Sequence, residues 1–338
     1  MNPAAERGAL VLDLVQRVGA AARLETVSVP VHGLDAAESR VVAEAWCDRT
    51  GHQVVSVDAQ AVVVRKGPRA DPLAGLDPTL LPGTRLWLYT NFDCNLACDY
   101  CCAKSSPQAD RRALGVDVVR RLAYEAVEAG VSELILTGGE PFLLPDLDEL
   151  VAACSDALPT TLLTNGMLLR GGRLERLRRM DRRRLTLQIS LDSATPDLHD
   201  LHRGRGSWAK AVAGIRTARE EGYRVKVAAT LAADDQHGLT EFHDFLEGIG
   251  VPRDDHLIRT VAHRGFADTG VELTLETLVP EVTVTADGVY WHPVSADHDD
   301  QLVSRSLFPL AEAIAEVRRR FVEMRTNATA SALFFPCA

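Results

Sequence analysis

Three cysteines stand within eight residues of the sequence, Cys94, Cys98 and Cys101, in a C-x3-C-x2-C arrangement. They follow the apolar and aromatic run Leu86–Tyr89, which is typical of a buried strand. Three thiolates can bind three irons of a cubane [4Fe-4S] cluster, whereas a ferredoxin cluster used for electron transfer takes four. One iron would keep an open coordination position, and such a position distinguishes a reactive metal site from a structural one.

A zinc knuckle and a chance group of buried thiols are the alternative interpretations of these cysteines. Structural zinc is almost always four-coordinate. No fourth Cys or His stands at the usual short finger spacing from the three thiols. The spacing therefore favours an iron-sulfur site, and the motifs further along the chain provide the context that such a motif needs.

The cysteine spacing, with the aromatic Tyr100 just before the third cysteine, resembles the signature of the radical S-adenosylmethionine (radical SAM) superfamily. The resemblance implies two cofactors, a [4Fe-4S] cluster held by the three cysteines and S-adenosyl-L-methionine. In that family the amino and carboxylate groups of S-adenosylmethionine chelate the open iron.

The composition limits the classes of protein to consider. The chain has 338 residues and a formal net charge of −10, so it suits one large α/β unit with appendages. The negative charge argues against a nucleic-acid partner, which would require a basic face. Seven cysteines, three of them clustered, do not fit a secreted disulfide framework. With no signal-like start and no apolar run of membrane-spanning length, we expect a soluble cytoplasmic protein without a membrane partner.

Residues 1–67 are predicted to form a small α/β domain. Its helices are expected at 4–18 and 36–49, and its strands at 24–29, 53–57 and 61–64. From Trp46 and Cys47 to Lys66 the region resembles the second half of a TusA-type sulfur carrier, in a degenerate form because the Cys-Pro pair of that family is absent. We interpret Cys47 as a packing residue, and the domain as a docking module or a relic of a sulfur carrier.

Residues 68–83 contain four prolines and are predicted to be a linker. The main domain, 84–265, alternates between strand and helix patterns. Strands are expected at 85–90, 133–137, 160–164, 185–190, 224–231 and 256–261, and helices at 116–129, 146–157, 173–180, 207–221 and 239–248. The alternation predicts parallel strands with right-handed crossovers, and six strands form a partial (β/α)6 TIM-type barrel, which the family resemblance also implies. Sites in such barrels lie at the carboxyl ends of the strands.

Small polar residues follow three of these predicted strands. The segments are Thr137-Gly138-Gly139-Glu140, Thr164-Asn165-Gly166 and Ser190-Leu191-Asp192. Each of these segments alone is typical of an ordinary turn. Together, after the cysteine loop, they predict one polar rim, where two adjacent glycines would let a ligand approach the backbone.

The radical SAM resemblance implies roles for these residues. Gly138, Gly139 and Glu140 match the segment that binds the methionyl amino group. Asn165, Ser190 and Asp192 match positions that line the adenosine and methionyl parts of the cofactor. In the following segment Arg203 could meet the cofactor carboxylate, for which a guanidinium fork is suited; the alternative is a solvated surface arginine.

The C-terminal region, 266–338, begins with a predicted hairpin at 281–293 around the turn Asp287-Gly288. It resembles a short SPASM or twitch extension, which in relatives carries cysteines for auxiliary clusters. Here His292-Pro293 stands where relatives often place the first cysteine, and only Cys337 follows. Full cysteine ligation of an auxiliary cluster is therefore excluded, whereas a cluster that combines Cys337 with His292 or His298 departs from the usual four thiolates.

The resemblance implies reductive cleavage of S-adenosylmethionine and hydrogen abstraction from a substrate, with electrons from an external flavodoxin- or ferredoxin-type donor. The predicted substrate is a small molecule of cofactor or natural-product biosynthesis, with sulfur insertion suggested by the N-terminal resemblance. The alternatives are a peptide-modifying maturase of the same superfamily and a non-catalytic iron-sulfur sensor or scaffold. A scaffold has no need of the polar strand ends. Cys102, Tyr290 and His292 are candidates to complete the reaction, although each is interpreted first as structural.

Overall fold

The computed structural model describes residues 3–22, 24–67, 81–232, 235, 238–275 and 277–334. The chain divides into two compact units, one comprising Met1–Leu76 with Val322–Ala338 and the other Asp77–Phe321. Most of the predicted linker at 68–83 lies outside the described residues, as does Cys337. The domain boundaries drawn from the sequence stay predictions.

The N-terminal unit has the predicted order of elements. These are α1 (Pro3–Ala20), β1 (Thr26–Pro30), α2 (Ala36–Thr50), β2 (Gln53–Val57) and β3 (Ala61–Arg65). The three strands form an antiparallel sheet in the order β1-β3-β2. Helix α2 begins after Asp35, whose side chain accepts a hydrogen bond from the Glu38 amide, and ends at Gly51 in the left-handed conformation.

The core of this unit contains the apolar residues that predicted α1, namely Leu10, Leu14 and Val18. Cys47 is buried in the same core. Burial raises the pKa of its thiol to about 12, so the thiol is neutral at physiological pH and unreactive. These properties agree with the interpretation of Cys47 as a packing residue. The likeness to a sulfur carrier stays a prediction.

The second unit is built on six parallel strands. They are β4 (Arg85–Tyr89), β5 (Glu133–Thr137), β6 (Thr160–Thr164), β7 (Leu185–Ser190), β8 (Arg224–Leu231) and β9 (His256–Thr260). They pair in chain order, each parallel to the next, and their bounds agree with the predicted ones to within a residue. Consecutive buried residues occupy both faces of β4 to β8, whereas β9 has no buried residue. Burial on both faces is expected where a sheet is covered on both sides.

Helices connect these strands as the sequence predicts. They are α3 (Val116–Glu128), α4 (Leu147–Ser155), α5 (Gly172–Arg179), α6 (Pro196–Arg203), α7 (Ser207–Glu220) and α8 (Leu239–Gly248). The short helix α6 was not predicted, although Pro196 at its first turn is a typical helix start. It matters to the site because its last residue is Arg203.

The segment after β9 adds three short strands to the same sheet. They are β10 (Thr283–Thr285), β11 (Gly288–Tyr290) and β12 (Leu302–Ser304), and α9 (Leu310–Phe334) follows them. The antiparallel pairing of β10 with β11 confirms the predicted hairpin. Its parallel pairing with β4 was not predicted, and it gives the sheet order β12-β11-β10-β4-β5-β6-β7-β8-β9. Assignment of this region as a SPASM or twitch extension stays a prediction.

Glu281 secures the hairpin to β4. Its carboxylate accepts a hydrogen bond from Arg85 at 2.8 Å and another from the indole N–H of Trp87. No helix in the described part of the chain is long and apolar enough to cross a lipid bilayer.

Candidate functional site

The cysteine loop follows β4 directly and is held by its own backbone. The Cys94 amide donates to the Ser106 carbonyl at 3.1 Å. Two backbone amides point at sulfur: that of Leu96 lies 3.4 Å from the Cys94 Sγ, and that of Ser105 lies 3.4 Å from the Cys101 Sγ. Hydrogen bonds to cluster-bound sulfur stabilise its negative charge and tune the cluster potential.

Burial raises the pKa of the Cys94 thiol to about 12 and that of Cys98 to about 11. These thiols therefore need the positive charge of a bound metal to lose their protons at neutral pH. Within the described residues, no group of three or more His, Cys, Asp or Glu side chains surrounds a position for one metal ion. In a cubane cluster each thiolate binds a different iron, so the three sulfurs do not have to meet at one point. The donor set fits such a cluster.

One cavity of about 230 Å³ opens at the carboxyl ends of the parallel strands. The predicted site residues that line it are Cys94, Cys98, Cys101, Gly138, Gly139, Asn165, Ser190 and Arg203. They come from the cysteine loop, from the ends of β5, β6 and β7, and from α6. The fold thus brings the cysteine loop and all three polar strand ends to one cavity. Glu140 and Asp192 lie behind its wall.

The Gly138-Gly139 pair packs against the cysteine loop. A Cβ at Gly138 would lie 2.5 Å from the Asn91 carbonyl oxygen, and one at Gly139 would lie 2.2 Å from that of Asp93. The Gly139 and Glu140 amides also donate to these two carbonyls, at 2.9 and 3.0 Å. The sequence suggested that these glycines admit a ligand. In the structure, the absence of a side chain at these two positions is needed first for the close approach of the cysteine-loop backbone. Both glycines also line the cavity.

The carboxylate of Glu140 is fully buried and joins two strand ends. It accepts hydrogen bonds from the Thr164 hydroxyl at 2.7 Å, the Asn165 amide at 2.8 Å and the Phe142 amide at 3.0 Å. The Asn165 side chain in turn donates to the Asn95 Oδ1 in the cysteine loop at 2.9 Å. These bonds make Glu140 a positioning residue, because its oxygens are engaged by protein donors. A direct contact with a cofactor amino group stays a prediction.

Asp192 and Arg203 form a buried two-point ion pair. The Arg203 Nε and a terminal nitrogen donate to the two carboxylate oxygens at 2.6 and 3.0 Å. The Tyr100 hydroxyl and the Thr230 amide donate to the same carboxylate. Burial alone would raise the pKa of Asp192, but the charge and hydrogen bonds of Arg203 outweigh it and lower the pKa, so Asp192 is ionised.

The Arg203 side chain is only 9% exposed. The alternative interpretation of Arg203 as a solvated surface arginine is therefore wrong. A guanidinium has five N–H donors, and Asp192 occupies two of them, so Arg203 keeps donors for a ligand in the cavity that it lines. Whether its partner is the cofactor carboxylate stays a prediction.

The segment that follows β9 lies against the cysteine loop that follows β4. The Phe266 amide donates to the Cys101 carbonyl at 3.0 Å, and a Cβ at Gly265 would lie 2.1 Å from the same oxygen. Strands β4 and β9 are five spacings apart in the sheet, which is about 24 Å on a flat sheet. The sheet must therefore curve strongly between β4 and β9 to bring the segments that follow these two strands together around the cavity.

Several cavity residues were missed or undervalued in the sequence. They are Thr230 at the end of β8, Arg259, Thr260 and Ala262 at the end of β9, Ser105 in the cysteine loop, and Val294 after the hairpin. The rule that sites lie at strand ends could have identified Arg259-Thr260, since β9 was predicted correctly. No signal pointed to Val294, because the return of the hairpin to β4 is a tertiary event.

The three candidates to complete the reaction have different positions. Cys102 lines the cavity, and burial raises the pKa of its thiol to about 12. Tyr290 is buried in β11. Burial lowers the pKa of His292 to about 4, and its Nδ1 accepts a hydrogen bond from the Val294 amide at 3.3 Å. Neither Tyr290 nor His292 lines the cavity.

Residues 88–247 match the model of the radical SAM superfamily. The chain carries a radical SAM domain. This superfamily uses a [4Fe-4S] cluster and S-adenosylmethionine, and the matched residues include the cysteine loop, β5 to β8 and all three polar strand ends. The radical SAM prediction made from the cysteine spacing is confirmed.

The relatives of this radical SAM domain act in several pathways. The antilisterial bacteriocin subtilosin biosynthesis protein AlbA of Bacillus subtilis is 32% identical over 46% of this chain and 34% of its own length. The AdoMet-dependent heme synthase of Methanosarcina barkeri is 31% identical over 46% of this chain and 45% of its own. The molybdenum cofactor biosynthesis protein 1 of Drosophila melanogaster is 39% identical over 46% of this chain and 27% of its own. The matched region thus spans less than half the length of these relatives.

The fold agrees with that of a solved structure, native anSMEcpe with bound AdoMet. It superposes with a TM-score of 0.55 over 72% of this chain and 84% of the other, at 12% sequence identity. At this identity the likeness concerns the fold, an α/β arrangement around a mainly parallel sheet.

Proposed function

We propose that this protein cleaves S-adenosylmethionine reductively at a [4Fe-4S] cluster held by Cys94, Cys98 and Cys101, and uses the resulting 5′-deoxyadenosyl radical to take a hydrogen atom from a substrate. The observation that supports this most strongly is the single cavity that the three cysteines share with Gly138, Gly139, Asn165, Ser190 and Arg203. A non-catalytic sensor or scaffold would have no use for such a shared cavity.

In this proposal the protein positions and encloses the cofactors. The Gly138-Gly139 backbone fixes the cysteine loop against β5. Glu140 fixes the ends of β5 and β6, and Asp192 orients Arg203. Each group is held by buried hydrogen bonds, and such rigidity keeps a site in its working geometry. Enclosure by the segment after β9 limits the access of water.

The strand order supports a partial (β/α)6 barrel, because six parallel strands run in chain order and the two end strands approach each other across the cavity. The proposal includes a cytoplasmic location and an external flavodoxin- or ferredoxin-type electron donor. The acidic net charge of the chain, −10, is consistent with a small-molecule substrate and argues against nucleic acid, which is bound by basic surfaces.

We propose that the substrate is a small molecule in cofactor or natural-product biosynthesis. The heme synthase and molybdenum-cofactor relatives support this class. Sulfur insertion, suggested by the N-terminal unit, is a lesser part of the proposal. In that unit the only described cysteine, Cys47, is buried and has a raised pKa, which does not suit a sulfur carrier.

A peptide substrate is the second candidate. The relative named for subtilosin biosynthesis supports it, because its name refers to a bacteriocin. Mass spectrometry separates the two candidates: a short peptide encoded beside this chain would be altered in mass on co-expression with it, whereas a maturase function is contradicted if every neighbouring peptide keeps its mass.

The decisive experiment measures 5′-deoxyadenosine from anaerobically reconstituted protein given S-adenosylmethionine and a strong reductant. Cys98→Ala removes a cluster thiol from the cavity, and Cys154→Ala removes a buried thiol of α4 outside it. We expect product from the wild type and from Cys154→Ala, and none from Cys98→Ala. An iron-sulfur spectrum with bound S-adenosylmethionine but no product would support the sensor or scaffold instead.

A further inference from the structure

The residues that line the cavity fall into two groups. The first group comes from the cysteine loop and the ends of β5, β6 and β7, together with Arg203, whose charge is balanced by Asp192. The second group follows β9 and the hairpin, and it comprises Arg259, Thr260, Ala262 and Val294. The proposed function gives the first group to the cluster and S-adenosylmethionine. The second group is left for a further ligand.

Arg259 is the positive charge of this second group, and the acidic groups around it are neutral or engaged elsewhere. The Cys102 thiol lies near it, but burial raises the pKa of that thiol to about 12 and keeps it neutral. The Glu281 carboxylate also acts on it, but Arg85 and Trp87 occupy both oxygens of Glu281. In the described part of the chain no carboxylate lies within ion-pair distance of the Arg259 guanidinium, and no protein acceptor takes a hydrogen bond from it.

The guanidinium therefore offers its donors to the cavity. Arg259 remains solvent-accessible, and its side chain has a planar set of five N–H groups that matches the oxygens of a carboxylate or phosphate. The neighbouring Thr260, Ala262 and Val294 carry no charge. An anion placed here would form a charge-assisted pair in a partly enclosed site, where such pairs are stronger than in bulk water.

We propose that Arg259 binds an anionic group of the substrate, a carboxylate or a phosphate, and so holds the substrate in the cavity that it shares with the cysteines. This inference rests on the proposed function, and it narrows the substrate to molecules that carry such a group. It makes Arg259 a residue that determines specificity, and the contact with the cofactors is left to Arg203 and the strand-end motifs.

The test measures thermal unfolding of the full chain loaded with cluster and S-adenosylmethionine. Sodium phosphate or sodium succinate replaces sodium chloride at constant ionic strength. Specific binding raises the Tm along a saturating curve that gives a midpoint concentration, whereas the general effect of phosphate on protein surfaces does not saturate. The anion with the lower midpoint distinguishes a phosphate-bearing from a carboxylate-bearing substrate.

The variants are Arg259→Gln, Arg259→Lys and the control Arg216→Gln, which changes an exposed arginine of α7. We expect the saturating rise in wild type and Arg216→Gln and its loss in Arg259→Gln. Arg259→Lys keeps the charge without the fork, and we expect its midpoint to rise about threefold or more. The same curve in all four proteins would overturn the inference. If Arg259→Gln does not take up the cluster, an unchanged midpoint in Arg259→Lys overturns it.

The outcomes for the site and for the activity are separate. Production of 5′-deoxyadenosine by wild type without saturable anion binding contradicts the Arg259 site and leaves the proposed function in place. If anion binding is saturable and depends on Arg259 but no 5′-deoxyadenosine is produced, the proposed activity is contradicted. That result would support an anion-binding site with a different function.

Discussion

Asp192 and Arg203 meet through two hydrogen bonds of 2.6 and 3.0 Å, in a place where the Asp192 carboxylate is fully buried. The pair joins Asp192, two residues after the end of β7, to the last residue of α6. Tyr100, between two of the cysteines, donates to the same carboxylate. The pair therefore links the cysteine loop to the end of β7 and to α6.

Asp192→Asn removes the negative charge of this pair and leaves the Arg203 cation buried. We expect a loss of about 3 kcal/mol in the free energy of unfolding, since removal of one partner leaves an uncompensated charge. Urea denaturation of the cluster-loaded protein measures it. Asp148→Asn breaks the surface pair with Arg179 and should cost less than about 1 kcal/mol; equal losses in the two variants would contradict a special role for the buried pair.

Gly139→Ala places a methyl group 2.2 Å from the Asp93 carbonyl oxygen. Backbone cannot move aside cheaply, so the cysteine loop must shift. We expect iron content well below the about four atoms per chain of an intact cluster, with a matching loss of visible absorbance.

Gly172→Ala is the matched control for Gly139→Ala, because a Cβ at Gly172 meets nothing within 4 Å and the residue opens helix α5. It should keep wild-type iron content. Normal iron in Gly139→Ala would mean that the loop tolerates displacement and that the glycine pair is not required for cluster binding.

His199 is buried beside Asp192, whose amide lies 3.2 Å from its Nδ1. Burial, and then the charge of Arg203, lower the pKa of His199 to about 4, whereas the unfolded chain has the ordinary value of about 6.5. The unfolded state therefore binds more protons below pH 6.5. The stability that depends on neutral His199 is present above that pH and is lost as the pH falls towards 4.

Between pH 7.5 and 5.5 this single residue should lower the free energy of unfolding by about 1 kcal/mol. His199→Gln removes the titration, so its decline over that interval should be smaller by this amount. Urea denaturation at both pH values measures the free energy of unfolding. An equal decline of this free energy in wild type and variant would show that His199 is protonated in the folded state.

Much of the fold follows from local sequence. The six parallel strands were predicted to within a residue, because β-rich apolar runs such as Leu134–Leu136 are bounded by turn residues and separated by helical patterns. The shared cavity followed from the rule that parallel strands end at one edge. These predictions need only periodicity and chain direction.

The remaining features depend on contacts between distant residues. Strand β10 pairs with β4, the Glu140 carboxylate binds the Asn165 amide, and Asp192 pairs with Arg203. Each of these contacts joins residues from different parts of the chain. Sequence marked Glu140 and Asp192 as direct cofactor contacts, while the fold surrounds both with protein donors. Only the folded chain reveals which side of a rim residue faces the cavity.

The contact of Gly265 and Phe266 with the Cys101 carbonyl bears on the order of events during synthesis of the chain. The cysteine loop emerges from the ribosome early, but the backbone that packs against it is made only after all six parallel strands. Contacts of such long sequence separation form late. We therefore expect the cysteine loop to stay incompletely closed until the segment after β9 has been made.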